Sequence, residues 1–205
     1  LPVGKDDRSG DVGISPSITS KWEAEYFNQE PANRENKGAG VDYVSDNEFW
    51  VLNPVAASGN ARVYLKWDVN SGVNPSDPSL QILNYQDNLW EIVARTAPVS
   101  QSLPTSSAVS FNGSRSFTFG FTAPEEDEES PYPPYTWLGV ESDNWFTGNN
   151  WAGGFAPSTH HDVNVLRDKN ISRMPVINYS ADGQIAMTNN LTLQEGGSLT
   201  LNPGG

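Results

Sequence analysis

Along this chain, apolar residues alternate with polar ones far more often than they recur at helical intervals. The clearest case is ARVYLKWDV, residues 61–69. Ala61, Val63, Leu65, Trp67 and Val69 fall on one face, and Arg62, Tyr64, Lys66 and Asp68 on the other. Strict alternation over this length predicts a half-buried β-strand, with Trp67 in the core. KWEAEYF behaves alike, setting Trp22, Ala24 and Tyr26 against Glu23, Glu25 and Phe27. Before it, residues 1–20 read as a loose arm or an edge strand. Residues 29–40 read as a long polar loop, and EFWVLN as another strand. The run NSGVNPSDPS after the clearest strand is made of turn residues. LQILNYQDNLWEIVAR predicts a hairpin with Gln86, Asp87 and Asn88 at its tip and Trp90 packed inside. In SFTFGF, Phe117, Phe119 and Phe121 alternate with Ser116, Thr118 and Gly120, and Asn112-Gly113 upstream is a hairpin-turn signal. The expected fold is all-β, with an antiparallel, immunoglobulin-like β-sandwich over residues 21–123.

After residue 123 the pattern breaks. APEEDEESPYPPY carries five consecutive acids and four prolines. Like charges repel and proline stiffens, so residues 124–134 are expected to form an extended acidic linker. Beyond it the alternation becomes short: Ile185 and Met187, then Leu191 and Leu193, then Leu199 and Leu201, separated by Gly and Asn corners. Such pairs predict the first coils of a β-solenoid or β-helix, preceded by a capping segment, over residues 135–205. A coil buries its inner face on the next coil, so the pattern is expected to continue beyond residue 205. A start at Leu1 reads as a processed or excised piece.

Composition narrows the partners. Hydrophobic residues make up only 36%, but seven Trp can fill a modest core. The net charge of -13 argues against nucleic acid, which is bound by neutralising phosphates, and against anionic membrane surfaces. No apolar stretch is long enough to span a bilayer, so membrane insertion is not expected. With no cysteine, disulfides, thiolate metal sites and a Cys nucleophile are excluded.

Candidate chemistry is sparse. His160 and His161 are the only histidines. Neighbours on a strand face opposite ways, so the pair is not expected to share a metal, and it reads as decoration of a loop before DVNVL. Asp68, Asn70, Asp77 and Asp87 lie in or beside turns and offer oxygen ligands suited to calcium, but without the spacing of a known calcium loop. No G-x-S-x-G, P-loop or dinucleotide fingerprint is present. The expectation is therefore no enzyme, no catalytic, cofactor-binding or metal-binding residues, and no cofactor, with calcium as the one option. Trp137, Trp145 and Trp151 are expected to plug the end of the solenoid or brace it, with Gly153, Gly154 and Pro157 shaping the turn around them.

Two blocks carry a family resemblance. EFWVLNPVAASGNARVYLKWDVNSGV with LQILNYQDNLWEIV resembles a β-sandwich module of very large secreted and surface proteins of Bacteroidota. TWLGVESDNWFTGNNWAGGFAPSTHHDVNVL, followed by PVI and NNLTLQEGGSLTL, is similar to the segment that leads into β-helical repeats in the same proteins. The acidic stretch and the His pair depart from that pattern. The resemblance implies export by the type IX secretion system and display at the cell surface or beyond, as in adhesins of gliding motility. It implies a non-catalytic structural or adhesive role, with the outer-membrane secretion machinery and other domains of the same chain as partners. Surface glycans and self-assembly are further partner options. The alternative is a carbohydrate-binding module of a secreted polysaccharide-active enzyme.

Overall fold

The computed structural model describes residues 1–5, 8–17, 20–55, 59–123, 131–166, 171–178 and 185–202. Most of the expected acidic linker, residues 124–130, lies outside them. The chain forms two compact units. One comprises Leu1–Ser71 and Ser79–Ala123, the other Gly72–Pro78 and Pro124–Gly205.

The first unit is all-β and antiparallel, consistent with a β-sandwich. Its strands are β1 (Gly4–Lys5), β2 (Arg8–Ser9), β3 (Val12–Pro16), β4 (Trp22–Phe27), β5 (Val41–Val44), β6 (Phe49–Pro54), β7 (Gly59–Lys66), β8 (Leu80–Gln86), β9 (Leu89–Val93), β10 (Ser102–Pro104), β11 (Val109–Phe111) and β12 (Arg115–Thr122). One sheet is centred on β7, which pairs with β3 on one side and with β10 and β11 on the other. The other runs β4-β6-β12-β8-β9, with β5 following β6 along β12.

The alternation read from the sequence sets the core. Ala61, Val63 and Leu65 are buried on β7, as are Trp50 and Leu52 on β6 and Phe117, Phe119 and Phe121 on β12. Rings of the two sheets meet, Trp22 edge-on at 4.8 Å from Phe111, and Phe111 tilted at 5.7 Å from Phe117. The outer face of β8–β9 is also covered: Leu83 and Trp90 pack with Val41 and Val44, and the Trp90 indole N–H donates to the Ala32 carbonyl.

Two sequence expectations change. The strand 61–69 stops at Lys66, leaving Trp67 half-buried and Val69 exposed. The cause is local: the Asp68 carboxylate accepts from the Asn70 backbone N–H and the Ser71 hydroxyl accepts from the Asp68 backbone N–H, closing a turn. Asn112-Gly113 does not close a hairpin. β11 pairs with β7 and β12 with β6, β8 and β5, so this turn carries the chain from one sheet to the other. The tip at Asp87 and Asn88 is a tight turn, both residues having positive φ.

The second unit pairs its strands in parallel. β13 (Asp162–Val165) lies in register with β15 (Asn190–Leu193), and β14 (Val176–Asn178) with β16 (Thr200–Asn202). Single bridges extend both ladders one step toward the N-terminus: Thr136 joins Asn164, and Asn144 joins Val176. Each ladder therefore has three rungs, at 136, 164 and 192 and at 144, 176 and 200. Side-chain amides tie the rungs together: Asn190 donates to Asp162 and Asn202 to Asn178. These parallel pairs stand where a β-solenoid was expected; no closed coil is seen among the described residues.

Candidate functional site

In the second unit a serine, a histidine and an aspartate converge. Asp77, from the segment Gly72–Pro78, is fully buried, as are Ser158 and His161. His161 Nε2 lies 3.6 Å from Asp77 Oδ2. The Ser158 backbone N–H donates to His161 Nδ1 at 2.9 Å, which leaves the imidazole proton on Nε2, facing Asp77. The Tyr135 ring stacks on the imidazole with centroids 3.6 Å apart, and His160 approaches to 3.8 Å. Burial holds the His161 pKa well below the ordinary imidazole value, and the neighbouring His160 adds to that.

The residue types are those of a hydrolytic triad, but the geometry is not. The imidazole meets the serine backbone rather than its hydroxyl. The Ser158 hydroxyl accepts from the Asn74 backbone N–H at 3.2 Å and donates to Asp77 Oδ2 at 3.5 Å. The imidazole does not take the hydroxyl proton, so the serine–histidine contact of such a triad is not made. What the cluster does is pin a loop. Asn74 donates to the Ala156 carbonyl, and the Thr159 hydroxyl donates to the Gly72 carbonyl. The expectation that the His pair decorates a loop is thus corrected for His161, which is interior.

The three tryptophans form one buried cluster. Trp151 packs edge-on against Trp137 at 5.1 Å and Trp145 at 4.8 Å. Each indole N–H that points inward finds a carbonyl: Trp137 donates to Arg173, and Trp151 to Trp145. Gly139 has φ +58, and a Cβ there would lie 2.4 Å from the Arg173 carbonyl oxygen, so no other residue fits beneath Trp137.

Asn150 is the residue that sequence reasoning missed. It is fully buried at the end of a single 3-10 turn, Gly148–Asn150. Its amide oxygen accepts from the backbone of Glu141 and Ser142, and its NH2 donates to the Ser142 hydroxyl and the Asn144 carbonyl. Its own carbonyl accepts from Leu138 and Gly139. One amide thus satisfies four partners and ties residues 138–144 to the tryptophan cluster. The sequence shows the rings at Trp137, Trp145 and Trp151, but nothing in it marks the asparagine just before Trp151 as interior.

The proposed calcium ligands are not brought together. Asp68 and Asn70 serve their own turn, Asp77 faces His161, and Asp87 accepts from the Gln86 amide at the hairpin tip. Among the described residues no three His, Cys, Asp or Glu side chains gather as a cation site. Among the described residues of the first unit the buried carboxyl is Glu48, which accepts from the Tyr26 hydroxyl at 2.7 Å. Burial raises its carboxyl above the ordinary value, with Asp68 adding to the rise and Tyr26, Ser71 and Arg8 opposing it.

Compared with known proteins, the chain matches no family model, no curated protein and no solved structure. No described helix is long and apolar enough to cross a membrane.

Proposed function

We propose that this chain is a non-catalytic structural or adhesive portion of a large secreted or cell-surface protein. In this reading an immunoglobulin-like β-sandwich precedes the first coils of a β-solenoid, and the second unit starts a stalk. The resemblance to Bacteroidota surface proteins supports export by the type IX secretion system and partnership with further domains of the same protein.

One observation carries the reading. The inward positions of the parallel ladders stack as Tyr135, Val163 and Leu191, and as Trp137, Val165 and Leu193. Val163 and Val165 are 1% and 0% exposed, whereas Leu191 is 39% and Leu193 47% exposed, and Leu201 of the second ladder 68%. One end of the stack is thus filled by tryptophans, and the other presents leucines beside strand edges that no other described strand pairs with. An end of this kind is completed by another coil of the same register, because a coil gains its burial from its neighbour.

The test is to insert a second copy of residues 179–202 directly after Asn202. The added coil should protect the β15 and β16 amides from hydrogen exchange and raise the melting temperature of the second unit. Unchanged exchange, or a lower melting temperature, would sink the reading.

A further inference from the structure

The first unit contains a polar cleft on one side of its sandwich. Side chains of β8 alternate, so Leu80, Ile82, Asn84 and Gln86 share the face turned to the sandwich interior. Leu80 and Ile82 are fully buried among apolar residues, as that face requires. Two residues on, the pattern turns polar. Asn84 sits opposite Glu91 of β9 and opposite Phe117 of β12, which puts Glu91 on the same face. Arg115, two residues before Phe117, is on that face as well, with its guanidinium 5.9 Å from the Phe111 ring. The result is an open cleft of about 460 Å³ lined by Asn84, Gln86, Glu91, Arg115, Ser110 and Asn112 together with apolar residues of β9 and β11, with Asn84 the most buried of the polar ones. That volume is in the range of small-molecule sites.

That most buried residue is the informative part. Asn84 is only 4% exposed, yet its side chain makes no hydrogen bond to any described residue and lines the cleft. Its amide is not among the sealed-off polar groups, so it is met by solvent through the cleft, as a buried residue's polar group ordinarily must be met by something. At a position where Val or Leu would complete the row begun by Leu80 and Ile82, an asparagine facing open space is shaped for something that enters from solution.

We propose that this cleft is a binding site for a neutral carbohydrate. The chemistry on its walls selects that class. Two carboxamides each offer a donor and an acceptor in one plane, which suits adjacent hydroxyl groups. Glu91 adds acceptors and Arg115 adds paired donors, so the local charge balances. A polyanionic glycan is disfavoured, since the lining holds one guanidinium and one carboxylate on a chain of net charge -13. An apolar ligand would strand the amide, the carboxylate and the guanidinium alike. Asn84 recognises the sugar unit that enters the cleft, and Gln86, Glu91 and Arg115 orient it. The site lies wholly within the first unit and stands or falls independently of the open ladder in the second.

The full chain should be titrated, by calorimetry and by chemical-shift perturbation, with cello-, xylo-, manno- and laminari-hexaose, and with oligogalacturonate as the anionic control. At least one neutral hexaose should bind with a Kd of about 1 mM or tighter. Gln86→Ala and Arg115→Ala, on half-buried positions, should each weaken that binding about tenfold while leaving the melting temperature unchanged. Asn84→Asp, which keeps the shape but removes the donor, should abolish it. If no neutral hexaose binds, if only oligogalacturonate binds, or if the three variants bind like the parent, the proposal is overturned. Failure of Asn84→Asp to fold leaves Gln86→Ala and Arg115→Ala to decide.

Discussion

The two units fill their interiors by different means. In the first, long antiparallel strands each contribute alternate side chains, and aliphatic and aromatic residues from both sheets share one core. In the second, short parallel rungs contribute few side chains each, and indoles supply most of the bulk. The first unit closes its core with its own two sheets. The second closes only the end where Trp137, Trp145 and Trp151 cluster. Where each rung buries one or two residues, a single large ring or a single well-placed amide carries a greater share of the stability than any one residue does in a sandwich.

That contrast should be most visible in paired core truncations. Trp145→Ala should cost the second unit about 3–5 kcal/mol and unfold it, leaving the melting of the first unit in place. Phe117→Ala should do the converse. Two calorimetric transitions that respond separately are the expected record, and a single transition moved by either variant would break the comparison. Asn150→Ala comes next. It leaves two backbone N–H groups without their acceptor and should cost about 3 kcal/mol, again in the second unit alone. Asn150→Asp should recover only part of the loss, because its donors are gone.

Acid and base should then pull the units in opposite directions. His161 has a folded-state pKa below its unfolded value of about 6.5, so its stabilising effect is present above pH 6.5 and is lost as the pH falls below it. Glu48 has a folded-state pKa above its unfolded value of about 4.5, so its contribution is full below that pH and is lost as the pH rises through the folded value. Acidification from pH 7 to 5 should lower the second transition by a few degrees and raise or spare the first. His161→Gln should flatten the one response and Glu48→Gln the other, read as melting temperature against pH. The smallest effect is expected at the open end: Leu201→Lys should change the second unit by less than about 0.5 kcal/mol, because that side chain is already exposed.

Strand periodicity made much of the first unit legible. Ala61, Val63 and Leu65, and Phe117, Phe119 and Phe121, announce their faces because burial on a pleated strand repeats every second residue. The same rule overran at Trp67 and Val69, where a side-chain-closed turn ended the strand despite the pattern. At Asn112-Gly113 the expected hairpin did not form, since local turn chemistry marks a reversal but does not say which strand follows on which sheet. The aromatic cluster around Trp137 was legible from its large rings. Asn150 and His161 were not, because both matter through partners whose positions only the fold sets, such as Asp77 and the Ser158 amide. Asn84 did leave a trace, a polar residue on the core side of an otherwise apolar row.

The segment Gly72–Pro78 adds a constraint on how the molecule can be made and divided. It belongs to the second unit, yet it is synthesised some eighty residues before Ser158, to which Asn74 donates. A polypeptide emerging from its N-terminus must therefore hold this stretch in reserve until the later portion arrives. An expression boundary placed in the acidic run would discard Asp77 and Asn74 and deliver a protein with a hole beside its imidazole. A faithful recombinant version of the later half has to carry that seven-residue stretch with it, through a circular permutation or by retaining the whole polypeptide.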